Sequence, residues 1–199
     1  LFSKFYLIAD KIGLIDNKNP NYTFKPTPTG AGIIFIIIFF VGNIVFYFSD
    51  EFRSSLPNRY YLLIISGLIL SITSFRDDIK NVDPILRLLI QFVCIYISLS
   101  CISLNQVDIP FKLSILIAFG TWVYITNITN FIDGTDGFLI THVIFFYTNI
   151  LILNLIGFDQ IFSFYLCFLI LPSAIVFFFF NKPKAKLFMG DAGSIFFGF

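Results

Sequence analysis

Residues 161–194 read IFSFYLCFLILPSAIVFFFFNKPKAKLFMGDAGS and contain the two features that decide the fold. The first twenty residues carry no charge, and about 20 apolar residues let an α-helix cross the hydrocarbon core of a bilayer. The polar segment that follows contains three lysines and then Asp191, which stands between Gly190 and Gly193. This arrangement predicts a membrane protein with a functional carboxylate at the membrane surface.

The composition of the chain excludes most soluble classes. Of the 199 residues, 57% are hydrophobic and 13% are charged, more apolar surface than a water-soluble domain of this size can bury. The net charge of +1 argues against the basic footprint of a nucleic-acid-binding protein. The three cysteines lie in apolar runs without zinc-ligand or redox spacing, so we interpret them as small buried residues.

Six apolar runs are long enough to be membrane spans, and they lack the alternating pattern of barrel strands. We predict an all-α, polytopic membrane helix bundle with six complete spans and partial spans at both ends. We expect residues 1–199 to form a single integral membrane domain that is truncated at both termini, because the chain has no initiator Met and a seventh span starts near Ser194. The six runs are Gly30–Phe48, Tyr60–Phe75, Ile85–Leu104, Phe111–Thr126, Phe138–Ile156 and Ile161–Phe180.

The segments between the runs divide the basic residues unequally between the two membrane faces. Alternating spans put ten Lys and Arg residues on one face and three on the other. The positive-inside rule places the richer face in the cytoplasm, and that face also receives three acidic clusters. The ten are Lys4, Lys11, Lys18, Lys25, Arg76, Lys80, Arg87, Lys182, Lys184 and Lys186, and the three are Arg53, Arg59 and Lys112.

Two of the acidic clusters admit a structural and a chemical explanation. Asp77 and Asp78 repel each other, and a hard divalent cation with oxygen ligands would relieve that repulsion; pairing with neighbouring cations at a solvated helix end explains them equally well. Two Asp-Gly steps predict a turn that exposes Asp133, Asp136 and Asn130. Helix capping explains one of these aspartates, but not both together with Asn130.

The third cluster, Lys182–Ser194, combines cations, an aromatic ring and an acid. Ammonium groups suit a diphosphate as point charges, although membrane anchoring explains each lysine singly. Phe188 suits stacking on a nucleobase or anchoring in the membrane. The glycines around Asp191 let the backbone approach a phosphate or metal closely. An earlier segment, Lys25–Gly32, adds threonine hydroxyls on the same face.

Together these segments resemble the polyprenyl-phosphate N-acetylhexosamine-1-phosphate transferases of glycosyltransferase family 4. That group includes the bacterial UDP-N-acetylhexosamine:undecaprenyl-phosphate transferases and, more distantly, the phospho-MurNAc-pentapeptide transferases. The matching segments are Pro26–Gly30, Asp77-Asp78, Asn130–Gly137 and Phe188–Ser194. The last two of these segments are specific to the family, whereas the first two alone are not.

The resemblance implies a magnesium-dependent phosphoglycosyl transferase, with manganese as the alternative ion. In the implied reaction a lipid phosphate attacks the β-phosphorus of a UDP-sugar, giving a polyprenyl-diphospho-sugar and UMP. The resemblance implies that Asp191 is the metal ligand and that Asp77, Asp78 and Asp133 are catalytic. The substrate-binding residues that it implies are Lys25, Thr27, Thr29, Asn130, Asp136, Lys186 and Phe188.

The implied partners are a UDP-sugar, a polyprenyl (undecaprenyl) phosphate and the membrane, with no nucleic acid, and a homodimer stays open. The implied location is the bacterial inner membrane, multi-pass, with a cytoplasmic active site. We expect transfer of N-acetylhexosamine-1-phosphate that initiates surface polysaccharide such as O-antigen, with the phospho-MurNAc-pentapeptide reaction of peptidoglycan synthesis as the alternative. One departure is Pro28-Thr29-Gly30-Ala31-Gly32, where the family has Pro-Arg-Gly-Gly-Gly; another is a later His-containing motif, which is absent before Phe199.

Other classes fit the sequence less well. A transporter or channel buries charged residues near the bilayer midplane, whereas Arg87, Lys112 and His142 lie near the ends of runs. A CDP-alcohol phosphotransferase carries an Asp-Gly-x-x-Ala-Arg signature that this chain lacks. A purely structural membrane protein leaves the acidic clusters unexplained.

Overall fold

The computed structural model describes residues 1–9, 11, 14–16, 27–57, 59–101, 110–157 and 161–199. Within these ranges the protein consists of nine α-helices and a two-stranded antiparallel sheet, which confirms the all-α prediction. In the sheet, Ile15 pairs with Pro28 and Asp16 with Thr27. The helices are α1 (Phe2–Ala9), α2 (Gly32–Phe46), α3 (Asp50–Ser55), α4 (Tyr60–Ile79), α5 (Pro84–Leu99), α6 (Phe111–Ile132), α7 (Phe138–Leu155), α8 (Ile161–Asn181) and α9 (Asp191–Gly198), and the strands are β1 (Ile15–Asp16) and β2 (Thr27–Pro28).

Three of the described helices, α6, α7 and α8, are long and apolar enough to cross a membrane. Helices α2 and α5 are apolar but shorter, and α4 carries three charged residues in its last two turns. The number of six complete spans therefore stays a prediction. The short helices α1 and α9 stand where partial spans were expected, and α9 begins at Asp191 rather than near Ser194.

Two helices run further than their apolar runs. Helix α4 continues past Phe75 to Ile79, and α6 continues past Thr126 to Ile132. Asp77 and Asp78 therefore lie at a helix end, as one of the two interpretations had it, whereas Asn130, expected in a turn, lies in the last turn of α6. Hydropathy marks where lipid contact ends, whereas the backbone hydrogen bonds of a helix continue through polar residues at the membrane surface.

Helix α9 lies at the centre of the bundle and contacts α2, α4 and α6. Five of its eight residues are buried, including Ala192, Ser194 and Ile195. The main apolar core joins α2, α7 and α8 beside it and contains the fully buried rings of Phe35 and Phe177. The first turn of α9 is therefore fixed by packing on several sides.

The outer surface of the bundle is apolar. Large hydrophobic side chains on most of the described helices stand mostly exposed. A soluble monomer does not tolerate this distribution, and lipid tails would cover it. Examples are Ile44 on α2, Val93 on α5, Leu116 on α6, Phe145 on α7 and Phe168 on α8.

Two glycines allow α2 and α9 to cross in backbone contact. A Cβ added at Gly193 would lie 2.7 Å from the Cα of Gly32, and a Cβ added at Gly32 would collide with the backbone of Gly193. Small residues at such crossings let membrane helices gain van der Waals contact in the absence of a hydrophobic driving force. This contact holds the first turn of α9 against the first turn of α2.

We expect Gly193→Ala to lower the free energy of unfolding by about 1–3 kcal/mol, because the added methyl group forces two backbones apart. Gly120→Ala in α6 is the matched control: its Cβ meets nothing within 4 Å, so it should raise stability by about 0.5–1 kcal/mol through helix propensity. Thermal unfolding of the detergent-solubilised variants measures both effects. Equal melting temperatures for the two variants would contradict the crossing.

Candidate active site

The segment that leads into α2 lies beside the segment that leads into α9. The backbone N–H of Phe188 donates to the carbonyl of Pro28 (2.8 Å), and the N–H of Gly32 donates to the carbonyl of Met189 (2.8 Å). Thr27 is buried and Thr29 is half-buried next to this contact. Lys25, also predicted to bind substrate, lies outside the described residues.

Asp78 joins α4 to the start of α9. Its Oδ1 accepts a hydrogen bond from the N–H of Asp191 (2.7 Å), and its Oδ2 accepts one from the N–H of Ala192 (3.1 Å). A carboxylate here satisfies two N–H groups that lack partners within the helix and interacts favourably with the helix dipole. Gly190 precedes them with φ +79°, and a Cβ there would lie 2.8 Å from both Asp78 Oδ2 and Gly30 N. This position therefore requires glycine.

Arg87 bridges Asp77 and Asp191. Its Nη1 donates to Asp77 Oδ2 and to Asp191 Oδ2, at 2.5 Å each. Asp77 also accepts a hydrogen bond from the N–H of Val82 (2.7 Å). Asp83 caps α5 by accepting from the N–H groups of its first turn, which fixes the helix that carries Arg87.

Sequence reasoning missed Arg87 as a site residue and counted it only as a cation near a membrane face. Its spacing offered a signal. It stands one turn into the helix that follows Asp77 and Asp78, on the face that receives the acidic clusters. A helical hairpin of this kind returns the cation towards the acids.

Asp133 completes a cluster of four aspartates. It is half-buried at the end of α6, and burial, together with the charges of Asp191 and Asp78, raises its pKa well above the ordinary value, against a lowering by the Gly190 N–H. Burial raises the pKa of Asp78 to about 7, although the two N–H donors lower it. Burial also raises the pKa of Asp191, although Arg87 opposes this. The cluster thus favours added protons or a cation.

Two of the predicted substrate-binding residues hold neighbouring segments in place. Asn130 Oδ1 accepts a hydrogen bond from the hydroxyl of Ser194 on α9 (2.7 Å). Asp136 Oδ2 accepts one from the backbone N–H of Ala185 in the lysine segment (3.0 Å). These contacts fasten the last turn of α6 to α9, and the turn that follows α6 to the lysine segment.

Asn181 also links two segments, and it was not identified from the sequence. It is buried, its Oδ1 accepts from the N–H of Gly137 (3.1 Å), and its Nδ2 donates to the carbonyl of Leu187 (3.0 Å). The lysine segment that it supports carries Lys186, which is exposed, and Phe188, which is half-buried.

The donor set of the cluster suits a hard divalent cation. Among the residues that the structure describes, no group of three His, Cys, Asp or Glu side chains is arranged to hold a metal ion. Two carboxylate oxygens, from Asp77 and Asp191, nevertheless meet at one cationic nitrogen of Arg87. Magnesium takes oxygen ligands and is commonly bound through one or two carboxylates with substrate phosphates and water, so the residues present fit that ion.

The family model of glycosyl transferase family 4 matches residues 60–199, which is more than half of the chain. The chain belongs to glycosyl transferase family 4. This confirms the family that the sequence motifs suggested, and the matched range contains the four aspartates and Arg87.

The curated relatives of this chain carry two kinds of name. The chain is 29% identical to a phospho-N-acetylmuramoyl-pentapeptide-transferase of Buchnera aphidicola subsp. Baizongia pistaciae (92% of this chain, 64% of the relative) and 32% identical to one of Petrotoga mobilis (85% and 57%). It is 28% identical to a probable undecaprenyl-phosphate N-acetylglucosaminyl 1-phosphate transferase of Bacillus subtilis (96% and 54%). The chain thus spans 54–64% of the length of these relatives.

We expect Asp78→Ala to lower the free energy of unfolding by about 1–3 kcal/mol, because two buried N–H groups at the start of α9 lose their acceptor. Hydrogen–deuterium exchange of the peptide that contains Asp191 and Ala192 should accelerate. Asp83→Ala is the matched control, because it removes the cap of α5 at a cost of about 1 kcal/mol and should leave that peptide protected. Unchanged exchange in Asp78→Ala would contradict the capping role.

Proposed function

We propose that the protein transfers a sugar-1-phosphate from a UDP-sugar to a polyprenyl phosphate at the cytoplasmic face of a bacterial inner membrane. The observation that carries the proposal is the convergence of Asp77, Asp78, Asp133 and Asp191, from three separate helix ends, on one guanidinium-bearing cluster. Membership of glycosyl transferase family 4 and the names of the relatives support the same reaction class.

The proposed reaction is a phosphoryl transfer with balanced products. An oxygen of the lipid phosphate forms a bond to the β-phosphorus of the UDP-sugar, the bond from that phosphorus to the bridging oxygen breaks, and UMP leaves with the oxygen. Transfers of this kind depend mainly on positioning and on neutralisation of phosphate charge. A divalent cation bound by Asp191 would supply that neutralisation.

The side chains take different parts in this proposal. Asp78 is committed to the amides of α9, so we assign it the positioning of Asp191 rather than contact with substrate. Asp133 lies beside the cluster at the end of α6, and burial raises its pKa above the ordinary value, which suits a group that receives a proton during the transfer. Lys186 and Phe188 lie in the segment that leads into α9, and they suit the diphosphate and the uracil of the donor.

An apolar cavity supports a lipid acceptor. It has a volume of about 1020 Å³ and is bounded by α2, α4, α5, α6, α7 and α9, with Trp122, Phe146 and Phe197 among its walls. Thr129, one residue before Asn130, also lines it. A prenyl chain in this cavity would lead from the membrane towards the acidic cluster.

Two donor sugars remain candidates. The expected N-acetylhexosamine donor agrees with the name of the Bacillus subtilis relative, and UDP-MurNAc-pentapeptide agrees with the names of the Buchnera and Petrotoga relatives. Radiolabelled transfer from both donors to undecaprenyl phosphate, with the complete gene product, separates them. Uptake of labelled donor into proteoliposomes without chemical change would instead favour a transporter.

We expect Asp191→Asn to reduce UMP release by about 100-fold or more, because a neutral amide is a weaker ligand for a cation that stabilises the transition state. Asp50→Asn is the control, since Asp50 is exposed in α3 and predicted to face the opposite side of the membrane; its turnover should match the parent. UMP release with added Mg²⁺ measures both. Full turnover in Asp191→Asn would remove Asp191 from the metal site.

Cysteine labelling tests the predicted orientation of the protein in the membrane. With Cys94, Cys101 and Cys167 replaced by Ala, a single cysteine at exposed position 182 should resist a membrane-impermeant maleimide applied to intact spheroplasts. A cysteine at exposed position 51, at the other end of the bundle, should react. Labelling at 182 from outside would place the lysine segment on the wrong face for a cytoplasmic UDP-sugar.

A further inference from the structure

Arg87 occupies an unusual position between two acids that come from different helices. One nitrogen, Nη1, lies 2.5 Å from Asp77 Oδ2 of α4 and 2.5 Å from Asp191 Oδ2 of α9. The side chains of Asp77 and Asp191 are 14% and 33% exposed, and that of Arg87 is 31% exposed. The contact is therefore partly shielded from water, and electrostatic effects in it exceed those of a surface ion pair.

A guanidinium nitrogen between two carboxylate oxygens stands where a metal ion bound by the same two oxygens would stand. Each carboxylate would otherwise repel the other, since Asp77 and Asp191 are direct neighbours. Each oxygen keeps a second lone pair, but a divalent cation that bridged both oxygens would come within contact distance of Arg87 Nη1, and the two cations would repel each other. Arginine and metal therefore compete for this place.

We propose that Arg87 is a built-in counter-cation, which holds Asp77 and Asp191 together before the divalent ion binds and leaves when that ion enters. The inference rests on the proposed function, in which Asp191 binds the metal. It adds that this chain lowers its own metal affinity in exchange for a site that stays assembled without metal.

The surroundings of Arg87 allow it to leave. Asp83 and Pro84 fix the first turn of α5, so the backbone stays in place while the long side chain moves. About a third of that side chain already reaches solvent. The displaced guanidinium therefore does not have to be buried without a partner, which would be costly.

Binding of Mn²⁺ to the purified protein in detergent, without nucleotide or lipid and followed by electron paramagnetic resonance, tests the proposal. Arg87→Gln should bind Mn²⁺ about tenfold more tightly than the parent, because a competing charge is gone. Its melting temperature should fall without metal, since the two acids repel, and should rise more than that of the parent when Mn²⁺ is added. Arg76→Gln removes the same charge from the exposed face of α4 and should change neither quantity.

Further variants keep the test decisive. The double variant Arg87→Gln with Asp191→Asn should lose the gain in affinity. Should Arg87→Gln fail to fold, Arg87→Lys replaces it: an ammonium is a more compact charge on a different stem, so the contact with both acids is weakened and the affinity for Mn²⁺ should rise above that of the parent.

The outcomes separate this inference from the proposed function. The counter-cation role is overturned if Arg87→Gln binds Mn²⁺ no more tightly than the parent does. It is also overturned if neither the parent nor any variant binds Mn²⁺. If the parent still releases UMP in either case, the proposed function stands. A gain in Mn²⁺ affinity without any UMP release supports the counter-cation and overturns the transferase.

Discussion

The carboxylate of Asp78 and the first two amides of α9 form the interaction on which the rest of the site depends. Asp78 lies in the last turn of α4, and its two hydrogen bonds fix where α9 begins. Asp191, the first residue of α9, is thereby placed against Arg87 and near Asp133. The energetic cost is a buried acid, visible in the raised pKa of Asp78, and the helix N-terminus offsets part of it.

The residues that pack α2 and α6 against α9 also position the candidate active site. The crossing of Gly32 with Gly193 brings α2 against α9, and the segment before Gly32 is hydrogen-bonded to the segment before Asp191. Asn130 and Ser194 repeat this link from α6. In a bundle whose outer face is apolar, these polar and backbone contacts give the interior specificity that hydrophobic burial alone does not supply.

Much of this protein was predictable from its sequence. The apolar runs indicated a helical membrane protein, and the glycine-flanked acids indicated the family that the comparison confirms. The apolar runs ended two helices too early, because hydropathy reports lipid contact rather than backbone hydrogen bonding, and Asn130 was therefore expected in a turn. The residue types at the site were recognisable, whereas their separate tasks were not.

The sequence by itself determined the helical class, the family and the candidate acids, because runs of apolar residues and short motifs are local patterns. Only the tertiary structure decided that Asp78 caps α9, that Arg87 bridges Asp77 and Asp191, and that Asn181 holds Gly137 and Leu187. Asp78 and Arg87 each lie more than one hundred positions before Asp191 in the sequence. Such pairings depend on how helices cross, and local periodicity carries no information about the partner across the bundle.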